Sequence, residues 1–379
     1  IQREDIVVTV TNTGWIKRVP LSTYRAQRRG GKGRAGMATK EEDFVQALYI
    51  VNTHTPVLFF STQGMVYKLK VYKLPVGTPQ SRGKAMINLL PLKDGETIST
   101  VMPMPEDEST WDQLNVMFAT SRGTVRRNDL SDFVSINRSG KIAMKLDESG
   151  DRLIGVGTCS DQNDVLLSTR QGKCIRFEVS DVRVFQSRSS VGVRGIKLAD
   201  GDEVISMSIL RHVEFDTESR DAYLRMAKKL RGSDDADESP DDAGELSSAT
   251  TKDLTDEEFK RFATAEEYIL TATRNGFGKR TSAYEYRITS RGGQGIVSIA
   301  TTKRNGDVVA SFPVADTDQV MMITDAGRLI RIPVGDIRVA GRSTQGVTLF
   351  ATGEDEHVTS VAHLPLEENG EEAVAVANE

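Results

Sequence analysis

Residues 165–172 read VLLSTRQG, and the phrase returns as IVVTVTNTG (6–14), VLFFSTQG (57–64), VMFATSRG (116–123), YILTATRNG (268–276) and VMMITDAG (320–327). Each is an apolar, β-branched run that ends in a polar turn with a glycine. Glycine supplies positive φ cheaply, so each phrase predicts a strand, a tight turn and a returning strand: a β-hairpin. Successive turn glycines lie 50, 59, 49, 104 and 51 residues apart. The unit is therefore about fifty residues long, and the 104-residue gap is one period plus an insertion of similar length.

Other marks keep register with the glycine. Four residues after it stands a basic side chain in every unit: Arg18, Lys68, Arg127, Arg176, Arg280 and Arg331. A second glycine follows 17–20 residues after the first, inside small basic loops: QRRGGKG (27–33), SRGKA (81–85), NRSGK (137–141), RSSVGVRG (188–195), RGGQG (291–295) and RSTQG (342–346). Further turns are marked by DGE (94–96), SGD (149–151), DGDE (200–203), NGD (305–307) and TGED (352–355). A fifty-residue sheet cannot bury its own faces, whereas radial stacking lets each sheet cover the next. The expected fold is all-β, a six-bladed β-pinwheel or propeller of four-stranded blades over residues 1–366. A linear solenoid is the runner-up, but neither end reads as a polar cap.

Residues 211–267 interrupt the pattern between blades four and five. A helix is expected over 216–232, with Tyr223, Met226, Ala227 and Leu230 on one face and Gly232 as its stop. Residues 233–251 are rich in Asp, Ser, Pro and Gly and are expected to be disordered. A second helix is predicted from Thr255, with Glu258 completing a capping box. Residues 367–379 read as an acidic tail.

Charge is segregated. The whole chain of 379 residues has 49 Lys+Arg against 54 Asp+Glu, a net of −5. The insertion carries −8 and residues 351–379 another −8, which leaves +11 for the rest. A cationic body with acidic appendages points to a nucleic-acid partner, with the tail as a competitor for the same surface. Loops of Arg, Lys, Gly and Ser suit phosphate, because guanidinium groups donate in a fork and glycine admits backbone N–H groups to the same oxygens. One such loop is ordinary surface, but six at equal spacing place cationic stations around a perimeter. Duplex DNA is the expected ligand, held by its backbone and bent. Aromatic residues are only 6%, too few for a single-strand stacking platform; Trp15, Tyr24, Tyr67 and Tyr72 read as blade core. A protein-interaction platform, with the basic loops merely solvated, is the alternative.

Several classes are excluded. No apolar run approaches a membrane span. Cys159 and Cys174 are the only cysteines, so a disulfide scaffold does not apply; both are expected in the core. No secretory signal is evident and the first residue is Ile1, from which a reducing, cytosolic setting and a piece of a longer polypeptide are expected. Gly31 to Gly36 spell G-x-G-x-x-G, but no apolar strand precedes them. A phosphate-binding G-x-x-x-x-G-K-[ST] loop is missing from the sequence. His54, His212, His357 and His363 show no zinc spacing, and 234–242 lack the glycine of a calcium loop. Neither a catalytic constellation nor a metal site is expected.

The string Gln27-Arg28-Arg29-Gly30-Gly31-Lys32-Gly33 resembles, at all seven positions, the signature box of the C-terminal domain of the DNA gyrase A subunit. The six-fold period, the sequence IKRVPLSTYRAQRRGGKGRAG (16–36) and the weaker echoes at 291–295 and 342–346 fit the same family. The C subunit of topoisomerase IV, a relative, usually has a degraded box. The resemblance implies a six-bladed pinwheel that wraps duplex DNA, so that an ATP-dependent bacterial holoenzyme introduces negative supercoils. It also implies partners, the N-terminal region of gyrase A and the gyrase B subunit in an A2B2 assembly, with cleavage tyrosine, ATP and Mg²⁺ outside this chain. It assigns Gln27 to Gly33 to the wrapping loop that helps close the ring. By repeat alignment it makes Arg82, Lys84, Arg138, Lys141, Arg188, Arg194, Arg291 and Arg342 phosphate contacts. Neither a cofactor in this chain nor a small-molecule substrate is expected, and the location is the bacterial cytoplasm, at the nucleoid.

Overall fold

The computed structural model describes residues 1–23, 43–147, 150–187, 190–232 and 252–365, and in it all six phrases are antiparallel hairpins. Blade 1 contains β1 (Asp5–Thr11), β2 (Trp15–Pro20) and β3 (Val45–Asn52). Blade 2 contains β4 (Pro56–Ser61), β5 (Met65–Lys70) and, after the short β6 (Lys84–Ala85), β7 (Ile98–Pro103). Blade 3 contains β8 (Asn115–Thr120), β9 (Thr124–Asp129) and, after β10 (Lys141–Ile142), β11 (Leu153–Cys159). In blade 4 the hairpin is β12 (Asn163–Thr169) and β13 (Lys173–Glu178). The short β14 (Val184–Phe185) and β15 (Val193–Arg194) precede its third strand, β16 (Val204–Arg211). Blade 5 has β17 (Tyr268–Thr273), β18 (Phe277–Ser282) and, after β19 (Ile296–Val297), β20 (Val308–Val314). Blade 6 has β21 (Gln319–Thr324), β22 (Leu329–Pro333) and, after β23 (Val347–Thr348), β24 (Val358–Leu364).

The short strands do not join the blade whose unit carries them. β6 pairs with β2, β10 with β5, β14 and β15 with β9, β19 with β13, and β23 with β18. Units 2 to 6 thus each make three strands and lend one short strand, or in unit 4 two, to the blade before them. Blade 6 has three strands among the described residues, and residues 24–42 of unit 1 lie outside them.

β7, β11, β16, β20 and β24 pack on one another in that order, and β24 packs on β3. Tyr49 Oη in β3 donates to Val101 O in β7 at 3.1 Å, which completes the circle. These strands line the axis, so the lent strands and their loops form the rim. The core is not central. It lies as wedges between blades: Leu58, Phe60, Phe118, Phe133 and Trp111 join blades 2 and 3, and the three phenylalanines meet edge to face. The closing wedge sets Phe44 of unit 1 against Met321, Ile323, Ala362 and Leu364 of blade 6. Cys159 and Cys174 are buried and free, as expected.

The turn glycine does more than turn. Gly64 has φ +79°, and a Cβ there would lie 2.2 Å from Met144 O of the next unit. The close approach lets Gly64 O accept from Ala143 N and Met144 N at 2.8 and 3.1 Å. Gly276 repeats this with Leu349 N and Phe350 N, and the carbonyls of Gly14, Gly123 and Gly172 likewise accept from the following unit. At Gly64 and Gly276 the stitch leaves no room for a side chain larger than hydrogen.

The insertion contributes helices α1 (Thr217–Arg231) and α2 (Asp256–Ala265). Gly232 ends α1 in the left-handed region and Thr255 with Glu258 forms the capping box, both as the sequence indicates. Leu230 departs from expectation: it is 75% exposed, because the buried stripe runs through Ala222, Tyr223, Leu224 and Ala227 and the last turn overhangs its partners. Glu266 accepts from Tyr223 Oη, Tyr268 Oη and Ser282 Oγ at 2.6–2.7 Å and binds the insertion to blade 5. The expected disorder of 233–251 and the tail 367–379 lie outside the described residues. Among the described residues no helix is long and apolar enough to cross a membrane.

Candidate nucleic-acid interface

The rim is made of five segments, 74–87, 134–142, 182–194, 286–297 and 337–348, all described except for residues 188–189. They hold eleven Lys and Arg and no Asp or Glu. All lie on the sheet edge away from the axis, because each carries a lent strand. The second glycines of the loops, Gly83, Gly140, Gly192, Gly295 and Gly346, all have positive φ.

A second set of cations, not singled out in the sequence, shapes these loops from inside. Three residues after the turn glycine, blades 1, 3 and 5 carry Lys17, Arg126 and Lys279, each at most 1% exposed. Lys17 Nζ donates to Thr78 O, Pro79 O and Ser81 O at 2.9, 2.9 and 2.6 Å. Lys279 Nζ donates to Gly341 O and Thr344 O at 2.8 and 2.9 Å and to Arg342 O. Arg126 donates to Ser190 O and to Asn128 Oδ1. Burial lowers Lys17 to about 8. The loop carbonyls turn inward on these cations, which withdraws their negative ends from the outer surface. Blades 2, 4 and 6 have Tyr67, Ile175 and Ile330 at this position.

The basic residue four after the turn glycine, whose face the sequence leaves open, is an inter-blade latch. Arg18 Nε donates to Leu74 O at 2.8 Å, Lys68 Nζ to Val134 O at 2.6 Å, Arg176 Nη1 to Ala283 O at 2.7 Å and Arg280 Nε to Ile337 O at 2.7 Å. Each acceptor lies in or beside the short 3₁₀ turn of the next unit. Arg127 instead pairs with Asp161, and Arg331 bonds Gln319 of its own blade.

The predicted contacts divide accordingly. Lys84, Arg138, Arg194 and Arg291 are exposed on the rim. Arg291 also ties adjacent loops, donating to Asp181 O and Arg194 O at 3.1 Å each. Lys141 is half-buried and donates to Asp132 O and Ser135 O of its own loop. Arg82 stacks on Trp15 at 4.0 Å and pairs with buried Asp43. Arg342 is corrected outright. It is 6% exposed, its guanidinium bonds Glu285 O and Val297 O, and it braces the loop instead of facing outward. Gln27 to Gly33 and Arg188 lie outside the described residues. Exposed Arg183 and Arg287 were missed, although a signal exists: with Arg25 and Arg338 they stand eleven residues after their turn glycines. Arg194 also borders a cleft of about 750 Å³ between blades 3 and 4, lined with Arg122, Arg152, Arg170 and Lys197 and also with Asp200, Asp202 and Glu203, the last paired with Arg152 and Arg170.

Among the described residues one cluster has metal-ligand chemistry, Asp164, Glu178 and His212. Here the His212 ring bonds Asp164 and Glu214 at 2.8 Å each, and Arg176 holds the far oxygen of Asp164 at 2.8 Å. Burial opposes the charged ring, yet the carboxylates raise the His212 pKa above its ordinary value. The arrangement is an ion-pair network at the foot of the insertion. Tyr67 is core, as expected, with its hydroxyl on buried Glu96.

Comparison with known proteins follows the same six units. The family described as "DNA gyrase C-terminal domain, beta-propeller" matches residues 5–52, 55–103, 114–160, 163–211, 267–315 and 318–365, and omits the insertion. The DNA gyrase A subunit of Rickettsia bellii is 49% identical over 96% of the chain and 39% of the relative's length. Its counterpart from Escherichia coli K12 is 40% identical over 97% of the chain and 36% of its own length. The chain thus spans about two fifths of these relatives. Two solved structures share the fold at 22% identity. The C-terminal domain of DNA topoisomerase IV has a TM-score of 0.73 and covers all of this chain and 97% of that one. A DNA gyrase A C-terminal domain has 0.60, covering 95% of this chain and 100% of that one. With six matched units and near-half identity along its length, the chain belongs to the DNA gyrase C-terminal β-propeller family.

Proposed function

We propose that the rim is a track for duplex DNA, and that this chain acts as the DNA-wrapping domain of a DNA gyrase A subunit. The observation that carries the reading is the rim itself, whose segments contain no carboxylate and present exposed Lys84, Arg138, Arg183, Arg194, Arg287 and Arg291 around one edge of a closed ring. Neutralising phosphates there releases counterions, and smooth bending costs roughly 1–6 kcal/mol per 20–30 base pairs, which several contacts per blade offset. No recognition helix is present among the described residues, so backbone and shape dominate over base readout.

In this reading the domain does no chemistry. It sets the path of DNA for a type II topoisomerase whose cleavage tyrosine lies in the N-terminal region of gyrase A. The gyrase B subunit supplies the ATPase, with ATP and Mg²⁺ bound in an A2B2 holoenzyme at the bacterial nucleoid. The names of the relatives and the complete box at Gln27 to Gly33 favour gyrase over topoisomerase IV. The test is duplex affinity between about 50 and 200 mM salt, together with the linking difference imposed on relaxed, religated circles. Replacing Lys84, Arg138, Arg194 and Arg291 with Ala should lower the salt slope by about 0.9 for each phosphate no longer neutralised. Replacing Arg28, Arg29 and Lys32 with Ala should abolish wrapping while affinity falls only modestly. A salt-indifferent affinity, or none, would favour the protein-interaction platform instead.

A further inference from the structure

Eight large apolar side chains are exposed among the described residues, and five of them sit on the rim: Val76, Ile87, Ile142, Val191 and Ile288. Ile87 lies two residues past lent strand β6; the others are within the loops or in β10. Lone exposed apolar residues are ordinary, but a concentration on the segments that carry the exposed cations is not. Ile142 follows Lys141, Ile288 follows Arg287, Val191 precedes Arg194 by three, and Ile87 follows Lys84 by three.

These side chains are also stiffly mounted. Val76 bridges Arg18 and Ile288 bridges Arg176 in matching positions, twelve residues after their turn glycines. Ile142 is paired with Met65 in the sheet. Val191 adjoins Gly192, where a Cβ would lie 2.5 Å from Val125 O, so the backbone there is pressed against β9. β-branching restricts χ1 in each. The five are spread over four units, which suits an extended ligand running along the perimeter more than a protein that buries one face.

Resting on the reading of the rim as a DNA track, we propose that Val76, Ile142 and Ile288, with Val191 and Ile87, are apolar wedges. They press into the minor groove between phosphate contacts and bend the duplex by partly unstacking base steps. Cations alone bend DNA smoothly; wedges localise the bend and hold it at salt concentrations that screen charge.

The experiment uses the 379-residue chain with Val76→Ser, Ile142→Ser and Ile288→Ser combined, and a companion carrying Met at the same positions. Both variants should stay folded, with thermal unfolding lowered only modestly and alike, since Val76, Ile142 and Ile288 are 67%, 48% and 39% exposed. The Ser variant should impose at most about half the wild-type linking difference, with the salt slope of binding unaltered because every cation is retained. The Met variant should retain the linking difference. Duplexes containing 2-aminopurine should brighten on binding the wild type and not the Ser variant. Equal wrapping by the Ser variant, or no brightening with the wild type while it still binds and wraps, would overturn the wedges and leave the track intact. Absence of any duplex binding by the wild type would overturn both.

Discussion

The loop over blade 1 (74–83) and the loop over blade 2 (134–140) follow the same course, yet they are held in opposite ways. The first is pinned from beneath by Lys17, a fully buried ammonium from the blade it covers, which gathers three carbonyls. The second has Tyr67 at that position, and its own half-buried Lys141 reaches back to two carbonyls. In this pair the residue three after the turn glycine sets whether the loop carbonyls are gathered from beneath or by the loop's own lysine. The difference also separates two populations of cation, those consumed in construction and those left for a ligand.

The sharpest way to break this contrast is to remove the pins. Lys17→Met or Lys279→Met takes the shared ammonium donor away from three inward carbonyls and should cost about 3 kcal/mol, read as a lowered urea midpoint. Lys141→Met, which acts where water can substitute, should cost about 1 kcal/mol or less. Equal losses would show that burial of the ammonium is not what matters. A smaller effect separates latches. Arg280→Ala, which unties blade 5 from blade 6, should cost about 1–2 kcal/mol, and Arg331→Ala, bonded within its own blade, under about 0.5 kcal/mol. Similar values for the two would deny the inter-blade role.

The smallest effect is set by pH. Arg328, then Gly353 N–H and Thr324, hold the Glu356 carboxyl down to about 2 from its ordinary 4.5. A carboxylate depressed in the folded state contributes stability above 4.5 and loses it as pH falls toward 2. Glu356→Gln should flatten the acid limb of a stability–pH curve in that window. An unchanged limb would place the acid sensitivity elsewhere. His212, raised by Asp164 and Glu214, works in the other sense: its contribution is full below the ordinary imidazole value of 6.5 and fades as pH rises.

Much of the fold was legible because its cause is local and repeated. A β-branched run that ends in glycine makes a hairpin wherever it stands, and six of them at one period leave few ways to bury the faces. The capping box at Thr255 and the stop at Gly232 were readable for the same reason. The site was only half legible. Arg342 and Lys84 stand in loops of the same composition, and nothing in their neighbours reveals that one guanidinium turns into the wedge between blades while the other side chain faces solvent. Lys17 and Lys279 were overlooked because a buried lysine inside a strand reads as an exposed one until its three acceptors, more than sixty residues away, are known.

The amino-acid order alone determined the hairpins, their number, the insertion between the fourth and fifth and the clustering of charge. Each of these depends on interactions within a few residues or on composition. Only the tertiary structure decided that the units lend a short strand backward, that the ring closes through Phe44, and which cations remain at the surface. Those outcomes depend on carbonyls and side chains from neighbouring units meeting at one point. A chain can encode such a meeting without displaying it in any single stretch.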